Sequence, residues 1–228
     1  MRNFYIITLL FSVTSLIACS NQEVVEVQIE ASPATIAAEV WEYQAQVVDW
    51  FLPVEHSKER VEEITHIMLH FTNNASRNTA NPYDLDEIYQ LFIEYEVSAH
   101  YMIDRNGDVY MLVPEDRVAF HAGQGTLEAY PEYENQLNEY SIGIELLGIG
   151  TKEEMVSIMT DEQYEQLSPE TIGFTMSQYR SLNELLADIY QRNSEIKRDR
   201  IHLIGHDEYA PERKFDPGSL FEWEQIQF

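Results

Sequence analysis

The stretch Glu63-Ile64-Thr65-His66-Ile67-Met68-Leu69-His70-Phe71-Thr72 is an apolar run that ends at a polar Asn73-Asn74 turn. Its length and its aliphatic content predict a buried β-strand in a sheet. Because side chains alternate along a strand, His66 and His70 face the same side, roughly 13 Å apart, and are too distant to bind one ion together. Chemistry in open sheets concentrates where strands end, so we interpret His70 as functional and His66 as structural.

A loop near the carboxyl end, Gly205 to Gly218, contains His206, Lys214 and Asp216 in close succession. Imidazole nitrogen and carboxylate oxygen are ligands that a catalytic zinc ion takes together with a water molecule. A neighbouring lysine can stabilise an oxyanion that forms on a bound carbonyl group. The loop therefore predicts part of a zinc site, and His70 is the candidate that completes it.

Five separate blocks of the sequence carry a resemblance to a known family. They are Ile67–Thr72, Val97–Gly107, Phe120–Gly123, Asn138–Glu145 and His206–Gly218. In this order they resemble the zinc-dependent N-acetylmuramoyl-L-alanine amidases, a family that includes the peptidoglycan recognition proteins. One block alone is weak evidence, because short apolar runs that end in histidine and Asp-Pro-Gly turns are common. The ordered set of five is specific.

The resemblance implies a role for individual residues. His70, His206 and Asp216 are expected to bind Zn²⁺, Glu145 to take a proton from the attacking water, and Lys214 to stabilise the oxyanion. The implied reaction is hydrolysis of the amide bond between the lactyl group of muramic acid and L-alanine. The implied partner is peptidoglycan or its muropeptide fragments.

Glu145, His121 and His100 each allow two interpretations. Glu145 lies inside the apolar run Ile142–Leu147, where a charged group needs either a function or a partner. A general base and a structural ion pair are the two interpretations. His121, in the third block, is predicted to bind substrate, although it could instead order the metal ligands. His100 is equally compatible with a hydrogen-bonded core group and with a ligand.

The remaining pattern predicts a single α/β domain over residues 46–228, with a central mixed β-sheet flanked by α-helices, as in the resembled family. With 228 residues and 44% hydrophobic content, the chain can bury one sizeable core. Periodicity and turn signals predict a helix that Pro82 opens, a hairpin of His100–Ile103 with Val109–Val113, a strand over Ile142–Leu147, a helix over Tyr179–Tyr190 and a strand over Ile201–Ile204.

Residues 1–18 have the pattern of a signal peptide, in which a single arginine precedes the apolar segment Phe4–Val13. The end of this segment, Leu16-Ile17-Ala18-Cys19, resembles the bacterial lipobox, which implies that Cys19 is lipidated and anchors the protein to a membrane. Ser20 resembles the residue found in lipoproteins sorted to the outer membrane, so we expect a location in the bacterial cell envelope, facing the periplasm. An uncleaved anchor and a secretory signal without lipidation are the alternatives.

Residues 19–45 contain five glutamates and neither lysine nor arginine, which predicts an acidic, solvated tether. A helix over Ile36–Trp50 is the competing interpretation, because apolar residues there recur at helical spacing. The net charge of -26 argues against a nucleic-acid partner, since polyanion binding requires clustered cations. A single cysteine excludes an internal disulfide.

The segment Gly148–Thr175 matches none of the five blocks and is interpreted as a lid or a substrate-selecting insertion. Two histidines and a carboxylate also form the iron triad of non-haem oxygenases, but that class would not explain Lys214 or Glu145. The stronger rival is a recognition module that binds peptidoglycan without cutting it. Because all three expected metal ligands are present, we favour catalysis.

Overall fold

The computed structural model describes residues 46–228, so the expected signal peptide, Cys19 and the tether over residues 19–45 lie outside the described residues. The strands of the described range are β1 (Val47–Asp49), β2 (Ser57–Glu59), β3 (His66–Thr72), β4 (Tyr101–Ile103), β5 (Val109–Met111), β6 (Arg117–Ala119), β7 (Ser141–Leu147) and β8 (Leu203–Gly205). Its helices are α1 (Leu85–Glu94), α2 (Leu137–Tyr140), α3 (Lys152–Met155), α4 (Asp161–Tyr164), α5 (Met176–Arg192) and α6 (His206–Tyr209).

The strands form a six-stranded sheet in the order β1-β5-β4-β7-β3-β8 and a separate ribbon of β2 and β6. In the large sheet β4 and β5 are antiparallel, whereas the other neighbouring pairs are parallel. The sheet is therefore mixed, and helices pack on it. This architecture confirms the predicted α/β class.

The apolar run that ends at Thr72 forms β3, which lies between β7 and β8 and is buried from His66 to Phe71. Ile67 and Leu69 point to the side covered by α5, where they share a hydrophobic cluster with leucines of that helix. Met68 points to the opposite side and packs against Ala122. Both faces of the strand are covered, which explains why apolar residues occupy nearly all of it.

The two longest helices have side-chain caps at their first turns. The helix expected to open at Pro82 begins at Leu85, because the Asp84 carboxylate accepts a hydrogen bond from the Glu87 N–H at 3.1 Å. Helix α5 begins after Thr175 with a capping box. None of the helices within residues 46–228 is long and apolar enough to cross a membrane.

The predicted hairpin is present, since β4 and β5 pair antiparallel. The Asp104 carboxylate accepts hydrogen bonds from the N–H groups of Asn106 and Asp108, each at 2.8 Å, and so shapes the turn. Gly107 has a φ of +92°, and a Cβ there would lie 2.8 Å from the carbonyl oxygen of Ser177 in α5. Glycine thus allows both the turn and the close approach of the helix.

The alternative prediction of a helix over Ile36–Trp50 is wrong for residues 46–50, the part of that range that the structure describes. Val47–Asp49 forms β1 and pairs in parallel with Val109–Met111. The Trp50 N–H continues this pairing with a hydrogen bond to the Met111 carbonyl at 2.9 Å. Pairing with a strand that is distant in sequence overrides the local helical spacing.

The strand expected over Ile201–Ile204 begins later, at Leu203. The Asp199 carboxylate accepts hydrogen bonds from the N–H groups of Ile201 and His202, both at 3.0 Å, and holds these residues in a turn. The strand still runs directly into α6, so it places His206 at the end of the sheet, as predicted.

Candidate active site

Three buried residues that are far apart in the sequence meet at one edge of the large sheet. His70 lies near the carboxyl end of β3, and His206 directly follows β8, the parallel neighbour of β3. Asp216 lies in the loop after α6, where its carbonyl accepts a hydrogen bond from the Asp207 N–H at 2.9 Å. Because parallel strands end at the same edge, the fold brings the three predicted ligands together.

The side chains of this cluster converge on one carboxylate oxygen. Nδ1 of His70 lies 2.8 Å from Oδ2 of Asp216, and Nδ1 of His206 lies 3.1 Å from the same oxygen. Burial lowers the pKa of His70 to about 4, so its imidazole is neutral near pH 7. The cluster could hold a metal ion.

The hydrogen bond that His206 makes on the side of its ring away from Asp216 is consistent with metal binding. Its Nε2 lies 2.8 Å from the carbonyl oxygen of Ala122, which can only accept a hydrogen bond. Nε2 therefore carries the hydrogen, and a neutral His206 turns an unprotonated Nδ1 towards Asp216. A cation between these two acceptors would satisfy both. Metal-binding histidines characteristically donate their outer N–H to a carbonyl or carboxylate in this way.

Glu145 lies beside the cluster on β7. The strand register pairs it with His70, so both side chains face the same side of the sheet. Oε2 of Glu145 is buried and has no hydrogen-bond partner among residues 46–228. Burial and then the Asp216 carboxylate raise the pKa of Glu145 to about 8, against the opposing effect of Lys214. A carboxyl group that lines the cavity with one unpaired oxygen, beside a cluster that could hold a cation, is suited to proton transfer.

A cavity of about 370 Å³ opens onto this cluster. Its wall includes the side chains predicted from the sequence, namely His70, His121, Glu145, His206, Lys214 and Asp216. A second cavity of about 420 Å³ is lined by Tyr95 and shares five residues with the first, namely Thr72, Val97, Glu145, Ile158 and Lys214. Glu145 and Lys214 therefore lie where the two cavities meet, and an extended ligand could occupy both cavities with its middle beside these two residues.

Arg213 also lines the cavity and was not singled out from the sequence. One of its guanidinium nitrogens, Nη2, donates hydrogen bonds to the carbonyl oxygens of Ala122 at 2.9 Å and Gln124 at 2.6 Å. Arg213 thus braces the third sequence block. In the sequence, Arg213 stands out as a second cation next to Lys214. The carbonyl groups to which it donates lie far upstream, so the sequence does not show its role.

Two further histidines have well-defined protein partners. Nδ1 of His121 lies 3.0 Å from Nε2 of His70, and its Nε2 lies 3.2 Å from Oγ of Ser141. His121 forms part of the cavity wall, and contact with a substrate stays a prediction. His100 is fully buried, and its Nδ1 accepts a hydrogen bond from the Gly143 N–H at 3.0 Å. Its burial lowers the pKa to about 3, and it lies in the core.

The unmatched segment Gly148–Thr175 contains α3 and α4 and supplies one wall of the cavity through Ser157 and Ile158. The Glu154 carboxylate accepts a hydrogen bond from the Ser219 N–H at 2.7 Å. This contact fastens the segment to the loop that carries Asp216. Neither Ser157 nor Ile158 belonged to a recognisable motif, so sequence reasoning missed both.

Comparison with known proteins gives a consistent result. Residues 60–219 match the family described as N-acetylmuramoyl-L-alanine amidase. The 1,6-anhydro-N-acetylmuramyl-L-alanine amidase AmpD of Haemophilus influenzae is 36% identical over 139 residues, or 61% of this chain and 59% of that protein. The N-acetylmuramoyl-L-alanine amidase AmiD of Escherichia coli is 31% identical over 150 residues, or 63% of this chain and 48% of that protein. The chain thus spans about half to three fifths of these relatives.

Solved structures show the same fold. A selenomethionine derivative of AmpD has a TM-score of 0.55 at 25% sequence identity, covering 81% of this chain and 94% of that one. AmiD from E. coli was solved with the substrate anhydro-N-acetylmuramic acid-L-Ala-D-γ-Glu-L-Lys. It has a TM-score of 0.52 at 29% identity and covers 71% of this chain and 55% of that one.

Proposed function

The chain belongs to the N-acetylmuramoyl-L-alanine amidase family, and on that premise we propose that it is a zinc-dependent hydrolase. Its reaction is cleavage of the amide bond between the lactyl group of muramic acid and L-alanine. The observation that carries this proposal is the meeting of three donor atoms, from His70, His206 and Asp216, beside the unpaired Oε2 of Glu145 in an open cavity.

When bound, Zn²⁺ would polarise the amide carbonyl, lower the pKa of the attacking water and lower that of Glu145. Glu145 accepts a proton from the water while the water oxygen forms a bond to the carbonyl carbon. The C–N bond then breaks, and the same proton goes to the leaving amine of L-alanine. The Lys214 ammonium, which lines both cavities, stabilises the negative charge on the carbonyl oxygen. The products are a muramic-acid carboxylate and a free peptide.

Peptidoglycan or its muropeptide fragments are the proposed substrates. Two similar proteins support fragments that end in anhydro-muramic acid, since AmpD is named for that sugar and AmiD was solved with such a ligand. The two adjoining cavities support a ligand that extends to both sides of the scissile bond. Ser157 and Ile158, from the unmatched segment, are the proposed substrate-selecting wall.

Digestion of defined muropeptides by the full chain, with and without added zinc, tests the proposal. Product masses distinguish an intact stem peptide from any other cut. Zinc-dependent release of the intact stem peptide is expected. Retained muropeptide binding without cleavage, despite bound zinc, would instead indicate a recognition module.

We further propose that Cys19 is lipidated and that the protein is anchored in the bacterial envelope, at the outer membrane facing the periplasm. The sequence Leu16-Ile17-Ala18-Cys19, followed by Ser20, supports this location. Labelling of cells with a clickable fatty acid tests the anchor. The wild-type chain should be labelled and recovered with membranes, and the Cys19→Ser variant should lose the label. An unlabelled wild-type chain would contradict lipidation.

A further inference from the structure

Two residues that are adjacent in the sequence, His121 and Ala122, each contact one histidine of the metal-binding cluster. The Ala122 carbonyl accepts the Nε2–H of His206, and Nδ1 of His121 lies 3.0 Å from Nε2 of His70. We propose that His121 is a positioning residue that fixes the tautomer and ring orientation of His70, as Ala122 does for His206. This inference rests on the metal site of the proposed function.

The backbone carbonyl of Leu137 sets the direction of the hydrogen bonds on the His70 side. Because a carbonyl only accepts, the Ser141 hydroxyl donates its hydrogen to Leu137. The Ser141 oxygen is left to accept the Nε2–H of His121 at 3.2 Å. A neutral His121 then has an unprotonated Nδ1, which accepts the Nε2–H of His70. His70 consequently turns its own unprotonated Nδ1 towards Asp216 and any metal ion held there.

The ring of His121 is held in one orientation. The residue is buried, with 9% of its surface exposed, and its two ring nitrogens face His70 and Ser141. Because Ser141 takes the hydrogen of Nε2, this orientation presents Nδ1 to His70.

The backbone around His121 is clamped in place. Oδ1 of Asn138 accepts hydrogen bonds from the N–H groups of His121 at 3.0 Å and Ala122 at 2.8 Å. At Gly143 a Cβ would lie 2.5 Å from Cγ of His121, so glycine leaves room for the ring. Arg213 donates a third bond, to the Ala122 carbonyl. These contacts hold both acceptors rigidly, as an outer shell that orients metal ligands requires.

The histidine acceptor can be removed with little change of side-chain size. His121→Asn keeps an oxygen near the position of Nδ1, whereas His121→Leu has a similar volume and no acceptor. We expect the zinc dissociation constant of the full chain to rise about 10- to 100-fold in H121L and to remain near the wild-type value in H121N. Ser141→Ala, which removes the next acceptor in the series, should cause a smaller rise than H121L.

Zinc affinity is measured by competition with a chromophoric chelator, and ligand geometry by the visible absorption of the Co²⁺ form. The spectrum of H121N should match that of the wild type, and that of H121L should not. His66→Leu removes another buried imidazole from the same strand face and serves as the control with unchanged affinity. Wild-type affinity in H121L, or equal weakening in H121N and H121L, would overturn the inference.

If circular dichroism shows that H121L does not fold, His121→Gln replaces it in the comparison. Glutamine places its polar end near the position of Nε2, facing Ser141 rather than His70. Tighter zinc binding by H121N than by H121Q is then expected, and the reverse or equality would overturn the inference. A wild-type chain that binds no zinc would overturn the proposed function as well, so metal affinity separates the two failures without any assay of hydrolysis.

Discussion

His66 and His70 lie on the same face of β3, both buried, and yet they have different partners. Burial lowers the pKa of each to about 4. Nε2 of His66 has no hydrogen-bond partner among residues 46–228, and the ring of Tyr130 packs edge-on against it at 5.0 Å. Both ring nitrogens of His70 instead lie within 3.0 Å of polar side chains.

The contrast shows that burial and strand position alone do not equip a histidine to bind a metal ion. At the His70 end, a carboxylate faces one ring nitrogen and an oriented acceptor faces the other. At the His66 end, aromatic rings occupy the corresponding space. Ligand competence therefore depends on what neighbouring strands and loops supply on both sides of the imidazole.

Replacement of His70 should produce the largest effect and the sharpest contrast with His66. His70→Ala removes one of three proposed ligands, so we expect loss of bound zinc and a fall of amide hydrolysis to the uncatalysed background. His66→Leu should retain both. Zinc content by elemental analysis, together with product release, measures the pair. An active H70A variant, or an H66L variant without zinc, would remove the distinction.

Glu145→Gln tests whether the carboxyl group beside His70 transfers protons. We expect the turnover rate to fall about 10²- to 10⁴-fold, because general acid–base catalysis is lost while the metal ligands remain. Zinc content should be unchanged. Glu153→Gln, at an exposed position, is the matched control and should have full activity. Full activity in E145Q would assign Glu145 a structural role.

Lys214→Met tests the source of positive charge on the other side of the cavity. The expected loss is about 10²- to 10³-fold in kcat, with a smaller change in KM, because the charge develops only in the transition state. Lys197→Met, an exposed lysine in the turn before β8, should be neutral. If K214M raised KM alone, Lys214 would bind substrate without stabilising the oxyanion.

The smallest expected effect is on stability at acid pH. The pKa of His66 is about 4 in the folded chain against an ordinary value of 6.5, chiefly because of burial. The unfolded chain therefore binds the proton first, so the stability contribution is complete above pH 6.5 and is lost as pH falls towards 4. Between pH 7 and pH 5, His66→Leu should lose about 2 kcal/mol less unfolding free energy than the wild type. Urea unfolding at both pH values measures this difference, and parallel losses would contradict the assigned environment.

Much of the site could be predicted because its signals are local. His70 lies where an apolar run meets a polar turn, and Glu145 is a lone charge within another apolar run. His206 and Asp216 share one short loop. Each of these residues is a candidate site residue from its own segment alone. The order of the five blocks links the segments to one family, which the spacing within a single block does not.

The parts that sequence reasoning missed depend on contacts between distant segments. Val47–Asp49 is a strand only because it pairs with β5, which local periodicity does not reveal. Ser141 contacts the His121 ring and Gly143 leaves room for it, and both relations depend on the packing of β7 against the third block. The same holds for Arg213, whose targets lie far upstream. These relations required the register and the loop positions, which only the structure gives.

Hydrolysis of an anhydro-muropeptide in ¹⁸O-labelled water tests the central claim most directly. With zinc bound, we predict one ¹⁸O atom in the new carboxylate of the muramic-acid product and none in the released peptide, whose amino terminus is L-alanine. Label in the peptide, a cut at any other bond, or an intact substrate despite a filled metal site would contradict the account.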